Sequence, residues 1–238
     1  MINTMTEYLD TEIAYWSSHV GSLNAMQRIE WSLDNLPQEF ILSSSFGIQS
    51  AVMLHMTTQI YPNIPVILTD TGYLFPETYE FLEQLTEQLQ LNLHVYKAKE
   101  SATWQLKKYG KLWTQGTEGL KKYHYINKVE PFDRAMKELN ANTWFSGIRR
   151  EQSSFRNSVP FVDSIRGHIK VHPILDWMAR DVHEYLKKHH LPYHPLFTKG
   201  YTSIGDTHST KPIHHVTTED EIRFNGTQRE CGLHCVNK

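Results

Sequence analysis

Cysteine is nearly absent from this chain: there are two in 238 residues, Cys231 and Cys235, both close to the last residue. Two thiols cannot build a disulfide framework. Long apolar runs are missing too, since stretches such as Val66-Ile67-Leu68 are far too short to span a bilayer. No N-terminal run combines a basic region, an apolar stretch and a small-residue cleavage site. The expectation is a soluble protein of a reducing cytoplasm. An excess of charge is also lacking, with 24 Lys and Arg against 26 Asp and Glu and a net charge of −2. No global field therefore draws the chain to nucleic acid or to an anionic membrane, and an anionic substrate has to be held by local cations. Fourteen histidines are present, but they are scattered, and neither a Cys-x-x-Cys pair nor a His-Glu-x-x-His helix accompanies them. No metal site is expected from that pattern.

What is there is alternation. Residues from about Thr6 to Leu36 have helical spacing with a break at Gly21-Ser22. Strand-like runs follow at Phe40 to Ser43, Pro65 to Thr69, Leu91 to Tyr96 and Thr143 to Ile148. A further one is expected at Lys170 to Ile174, after a turn at Arg166-Gly167-His168. Helical stretches are expected at Ser50 to Met56, Pro76 to Leu89 and Trp177 to His190. This order predicts an α/β fold with a mainly parallel sheet covered on both faces and ligands at the carboxyl ends of its strands. Residues 1–215 read as that domain, with N-terminal helices over 1–36 and a body over 37–215. Apolar density falls beyond about Lys199, and 216–238 read as a mobile arm carrying both cysteines.

Three loops carry chemistry. Ser43-Ser44-Ser45-Phe46-Gly47-Ile48-Gln49-Ser50 joins the first strand to its helix. Hydroxyls and free backbone N–H groups at a helix N-terminus cradle anions, and Gly47 permits close approach. Ordinary capping is the alternative reading. With no Gly-Lys-Ser/Thr, a lysine clamp on a nucleoside triphosphate is not predicted. Asp70-Thr71-Gly72 ends the second strand, where a nucleoside would rest; the alternative is a capped turn into the Pro76 helix. Arg149 and Arg150, with Arg156, follow the fourth strand, and forked guanidinium groups suit phosphate or sulfate oxygens; the alternative is a solvated charged face. In the tail, Arg229 and His234 flank Cys231 and favour its thiolate, the nucleophilic form; the alternative is a folded-back tail in which Cys231 is an inert small hydrophobe.

Together these segments resemble the thioredoxin-dependent phosphoadenosine phosphosulfate reductases over nearly all of the chain after the N-terminal helices. The resemblance rests on Ser44 to Ser50, Thr69 to Phe75, Tyr123 to Pro131, Ser146 to Arg150, Tyr193 to Leu196 and, most specifically, Glu230-Cys231-Gly232-Leu233-His234. It implies a Rossmann-like adenine nucleotide α-hydrolase fold in which the serine loop is a modified pyrophosphate loop. It also implies that Cys231 is the catalytic nucleophile, that 3'-phosphoadenylylsulfate is the substrate, and that thioredoxin or glutaredoxin is the partner. On that match Ser43, Ser44, Ser45, Gly47, Gln49, Ser50, Asp70, Thr71, Gly72, Arg149 and Arg150 line the substrate site, with Arg223, Arg229 and His234 closing over it from the tail. Iron–sulfur relatives carry cluster cysteines where this chain has Tyr123-His124 or its neighbours and Asp206-Thr207-His208-Ser209. A cluster needs four thiolates, so none is expected here, nor any other cofactor. A homodimer is left open, and Cys235 has no counterpart in the resemblance. The rivals are an ATP-using pyrophosphate-loop ligase or sulfurtransferase, and a metal-binding tail built on Cys231, His234 and Cys235.

Overall fold

Successive strand residues face opposite sides of a sheet, and here both sides are apolar. The structure, a computed structural model, describes residues 2–215 and Ile222. Its strands are β1 (Phe40–Ser43), β2 (Pro65–Asp70), β3 (Asn92–Lys97), β4 (Thr143–Ser146), β5 (Val162–Ile165) and β6 (His168–Val171). They form one six-stranded sheet in the order β3-β2-β1-β4-β6-β5, parallel except for the β5–β6 hairpin. Phe40, Leu42, Val66, Leu68 and Phe145 point into the larger core, whereas Ile41, Ile67 and Trp144 point into the other.

The helices are α1 (Ile2–Gly21), α2 (Ala25–Asn35), α3 (Ala51–Ile60), α4 (Pro76–Leu89), α5 (Ala102–Tyr109), α6 (Gly116–His124), α7 (Glu130–Glu138) and α8 (Ala179–Lys188). Residues of α2, α3, α4 and α8 fill the larger core. The opposite face is covered by α7, whose Phe132, Ala135 and Met136 pack on Ile41, Ile67 and Trp144. The Phe132 and Trp144 ring centroids lie 4.5 Å apart. The break expected near Gly21 has a cause one step later. Asn24 caps α2 by accepting from the Gln27 N–H, while the Gln27 side chain accepts from the Asn24 N–H.

Some expected boundaries move. The strand expected at Lys170 to Ile174 is β6, starting at His168, because Arg166 and Gly167 both take positive φ (53° and 82°) and alone make the hairpin turn. The pairing of Thr143 with Ile169 and of Phe145 with Val171 then ends the strand before Pro173. The helix expected to begin at Trp177 begins at Ala179. Helices α5, α6 and α7 and strand β5 were not anticipated. Between α6 and α7 the chain makes a wide π-helical turn, Tyr125–Val129.

Candidate active site at the strand-order reversal

The chain goes from β1 to β2 on one side and later places β4 on the other side of β1. In an open α/β sheet the crevice outside the carboxyl ends of two such strands is where ligands bind. The loop after β1 and the loop after β4 meet there: Arg149 Nη2 donates to Gln49 Oε1 at 2.6 Å. Two of the three loops singled out in the sequence are thus joined at the reversal.

The serine loop is held in an unusual shape. Phe46 has φ +48° although its side chain is fully buried, a conformation that costs a non-glycine residue free energy and is kept where the surroundings impose it. The Ser44 hydroxyl accepts from the Phe46 N–H at 3.1 Å, and the Ser44 N–H donates to the Ile67 carbonyl. The Ser50 N–H donates to the Gly47 carbonyl at 3.1 Å. Ser50 stands immediately before α3, and its buried Oγ has no hydrogen-bond partner among the described residues. A Cβ on Gly47 would meet only Ser45 Oγ at 3.5 Å and the Ile204 carbonyl at 4.0 Å, so the fold itself tolerates a side chain there. What the glycine supplies is clearance above the helix end. Ser43 Oγ reaches the Phe145 carbonyl at 3.5 Å, and Ser45 is exposed.

Below this loop lies the segment Tyr193 to Leu196. The His194 N–H donates to the Ile48 carbonyl, and its ring bridges Thr78 Oγ1 (Nε2, 3.0 Å) and the Leu196 N–H (Nδ1, 3.1 Å). Accepting at Nδ1 puts the proton on Nε2, so the ring is neutral and donates to Thr78. Burial pulls its pKa down to about 4, with Glu77 opposing.

The two arginines part company. Arg149 is buried, with Glu151 at 3.6 Å and the Trp177 carbonyl at 3.4 Å. Burial lowers the pKa of its guanidinium, and Glu151 works against that. Arg150 turns toward the hairpin instead. It donates to the Val159 carbonyl at 3.1 Å and lies over the Phe161 ring. His172, wholly buried near Lys170, Arg156 and Arg150, is held well below its usual pKa, chiefly by burial. Three lysines of α5 and α6 are engaged locally: Lys108 with Glu100, Lys121 with Glu118, and Lys122 over Tyr109.

After β2 the groups are already satisfied. Asp70 Oδ1 accepts from the Gly72 N–H and from the Tyr79 hydroxyl, each at 2.8 Å, and Oδ2 pairs with Lys97 at 3.2 Å. The Tyr79 pKa is raised by burial and by that bond. Gly72 has φ +75°, which a side chain would strain. Thr71 Oγ1 donates to Asp206 Oδ1 at 2.5 Å, and Asp206 Oδ2 pairs with Lys128 at 3.2 Å. Sequence reasoning missed Asp206 and gave Lys128 no role. The first sits in a polar stretch that reads as loop, and the second emerges only through the π-turn. Tyr123 and His208, from the two stretches where iron–sulfur relatives carry cysteines, meet at 3.1 Å. Among the described residues no group of three or more His, Cys, Asp or Glu side chains could hold a metal, and no helix is long and apolar enough to cross a membrane. Cys231, Arg223, Arg229 and His234 lie outside the described residues.

A sheet of this order, with a serine loop leading from its first strand into a helix N-terminus, defines an adenine nucleotide α-hydrolase-like fold. An FMN adenylyltransferase from Candida glabrata shares it at a TM-score of 0.59, 17% identity and coverage of 81% of this chain and 66% of that one. The family is narrower. The model of the phosphoadenosine phosphosulfate reductase domain matches residues 39–212. A phosphoadenosine 5'-phosphosulfate reductase of Escherichia coli O139:H28 is 58% identical over 222 residues, 93% of this chain and 91% of the relative. A Candida auris phosphoadenylyl-sulfate reductase, solved as a phosphate complex, superposes with a TM-score of 0.73 at 31% identity over 84% of this chain and 96% of that one. The chain belongs to the phosphoadenosine phosphosulfate reductase family and is an enzyme of that class.

Proposed function

We propose that the chain reduces 3'-phosphoadenylylsulfate to sulfite and adenosine 3',5'-bisphosphate, with reduced thioredoxin or glutaredoxin as the electron donor, in cytoplasmic assimilatory sulfate reduction. The observation that carries this reading is the junction of Gln49 and Arg149 beside the unpartnered Ser50 hydroxyl, at the point where the strand order reverses. A buried cation, an idle hydroxyl and a helix N-terminus in one place suit an anionic nucleotide.

The Cys231 thiolate attacks the sulfur of the sulfuryl group. The bond from that sulfur to the 5'-phosphate oxygen breaks, and adenosine 3',5'-bisphosphate leaves with the bond's electron pair. Cys231 then carries an S-sulfonate. A thiolate of the partner attacks the Cys231 sulfur and displaces sulfite, which takes the electron pair of the sulfur–sulfur bond. The partner's second cysteine resolves the mixed disulfide and returns Cys231 as a thiol. Two electrons pass from the dithiol to the sulfuryl sulfur. Positive charge from Arg149, and from Arg223 and Arg229 in the tail, offsets repulsion between thiolate and substrate. His234 keeps the neighbouring thiol ionised. Two cysteines are too few for a four-iron cluster, so the reaction as written uses none.

The test is mass spectrometry of the intact chain after adding substrate without reductant. Addition of one sulfonate at Cys231, absent in Cys231→Ser, is the expected result. Sulfite formation by purified Cys231→Ser above background defeats the reading.

A further inference from the structure

Asp206 is a buried carboxylate outside the crevice loops, paired with both a hydroxyl and an ammonium group, and the displacement chemistry above assigns it nothing. It is wholly buried. Its oxygens take the Thr71 hydroxyl at 2.5 Å and the Lys128 ammonium at 3.2 Å. The Tyr123 hydroxyl, which meets His208 Nε2 at 3.1 Å, is close enough to feel this carboxylate: its pKa is raised by burial first and by the Asp206 charge next. The backbone adds to this. Asp206 forms an antiparallel bridge with Leu74, and the Thr207 N–H donates to the Tyr73 carbonyl at 2.8 Å.

One side chain thus ties together three pieces of chain remote in sequence. These are the loop between β2 and α4, the end of α6 with its π-turn, and the segment near 206 from which the chain runs on toward Cys231. A buried charge-assisted carboxylate of this kind has one low-energy arrangement, because any displaced partner is left unsatisfied away from water. None of the bonds named above joins this arrangement to Ser50, Gln49 or Arg149, the groups offered to the nucleotide anions.

We infer that Asp206 is a positioning residue for the reduction, fixing the Thr71 to Leu74 loop and the segment preceding the catalytic tail in one register through Thr71, Lys128 and Tyr123. The inference rests on the reductase activity proposed above. Its loss misplaces the reacting ends while the grip on the nucleotide persists, and misplacement by about 1 Å costs about a hundredfold in rate.

The experiment compares wild type, Asp206→Asn and Tyr123→Phe. It measures kcat and KM for thioredoxin-dependent sulfite formation, the Kd of adenosine 3',5'-bisphosphate by calorimetry, and the thermal midpoint. For Asp206→Asn the expected result is a kcat at least about tenfold lower with a Kd within about threefold of wild type. Tyr123→Phe removes the hydroxyl that faces Asp206 and meets His208 while keeping the ring's packing, so kcat should fall about threefold or more at an unchanged midpoint. An Asp206→Asn protein with kcat within about twofold of wild type overturns the inference, and so does parallel loss of kcat and nucleotide affinity. Should Asp206→Asn fail to fold, Tyr123→Phe decides alone, and an unchanged kcat there overturns it. Wild type that forms no sulfite sinks the activity instead, which keeps the two failures apart.

Discussion

The loops after β1 and β2 leave neighbouring parallel strands, yet their polar groups are arranged in opposite ways. After β2, Asp70 and Thr71 are fully committed to Gly72, Tyr79, Lys97 and Asp206. After β1, a backbone in positive φ at Phe46 presents a helix end and a buried hydroxyl at Ser50 that no described residue uses. A satisfied loop stabilises the fold and a dissatisfied one waits for a ligand. Polar residues at the carboxyl end of a strand therefore do not all mean binding; their hydrogen bonds separate the two kinds.

Substitutions can break this contrast. Asp70→Ala leaves the Gly72 N–H and the Tyr79 hydroxyl without their acceptor and should cost about 2–4 kcal/mol of folding stability in urea titrations. A loss under 0.5 kcal/mol, roughly the scale of a neutral surface change, would show that the β2 loop is not committed as described.

The next effect is set by pH. His194 is held neutral, its pKa lowered from 6.5 to about 4 mainly by burial. The folded state binds its proton less readily than the unfolded state, so the contribution is complete above pH 6.5 and is lost as pH falls toward 4. Over that window the stability advantage of wild type over His194→Gln should shrink by about 3 kcal/mol. Following the two proteins by denaturant unfolding at matched pH cancels the titration of all other groups, and a constant difference contradicts the neutral assignment.

Arg149→Ala probes the loop left open. It should weaken binding of adenosine 3',5'-bisphosphate by about 1.5–3 kcal/mol in calorimetry, while Arg150→Ala, turned to the Val159 carbonyl, should change affinity little. Equal losses would return both arginines to the crevice. The smallest effect sharpens the comparison most. Ser50→Ala removes a hydroxyl that has no protein partner, so thermal stability should hold or rise by less than about 1 kcal/mol while nucleotide affinity drops. Lower stability with unchanged affinity would reverse the reading of that loop.

The parallel framework was legible because β1, β2 and α4 are apolar runs bounded by turn residues, and α4 occupies the Pro76–Leu89 span its spacing predicts. The region from Ala102 to Glu138 was not. Only Gln105 is buried along α5, and α6 packs Leu120 and Tyr123 into a small satellite cluster with Leu112, too little periodic apolar surface to read. At the site, residues adjacent in sequence were visible as motifs. The pairing of Gln49 with Arg149 and of Asp206 with Lys128 joins residues distant along the chain, and spacing carries no record of such contacts.

The π-turn at Tyr125–Val129 has a consequence for insertions and deletions. An α-helix advances about 100° per residue, and the wide turn absorbs extra chain so that α6 and α7 present different sides. Asn127 and Lys128 are buried there, while Phe132 and Met136, farther on, still reach the sheet. Deleting one residue from this turn would restore regular winding and swing everything after it by about that angle. Phe132 would then leave Trp144 and Lys128 would leave Asp206 together.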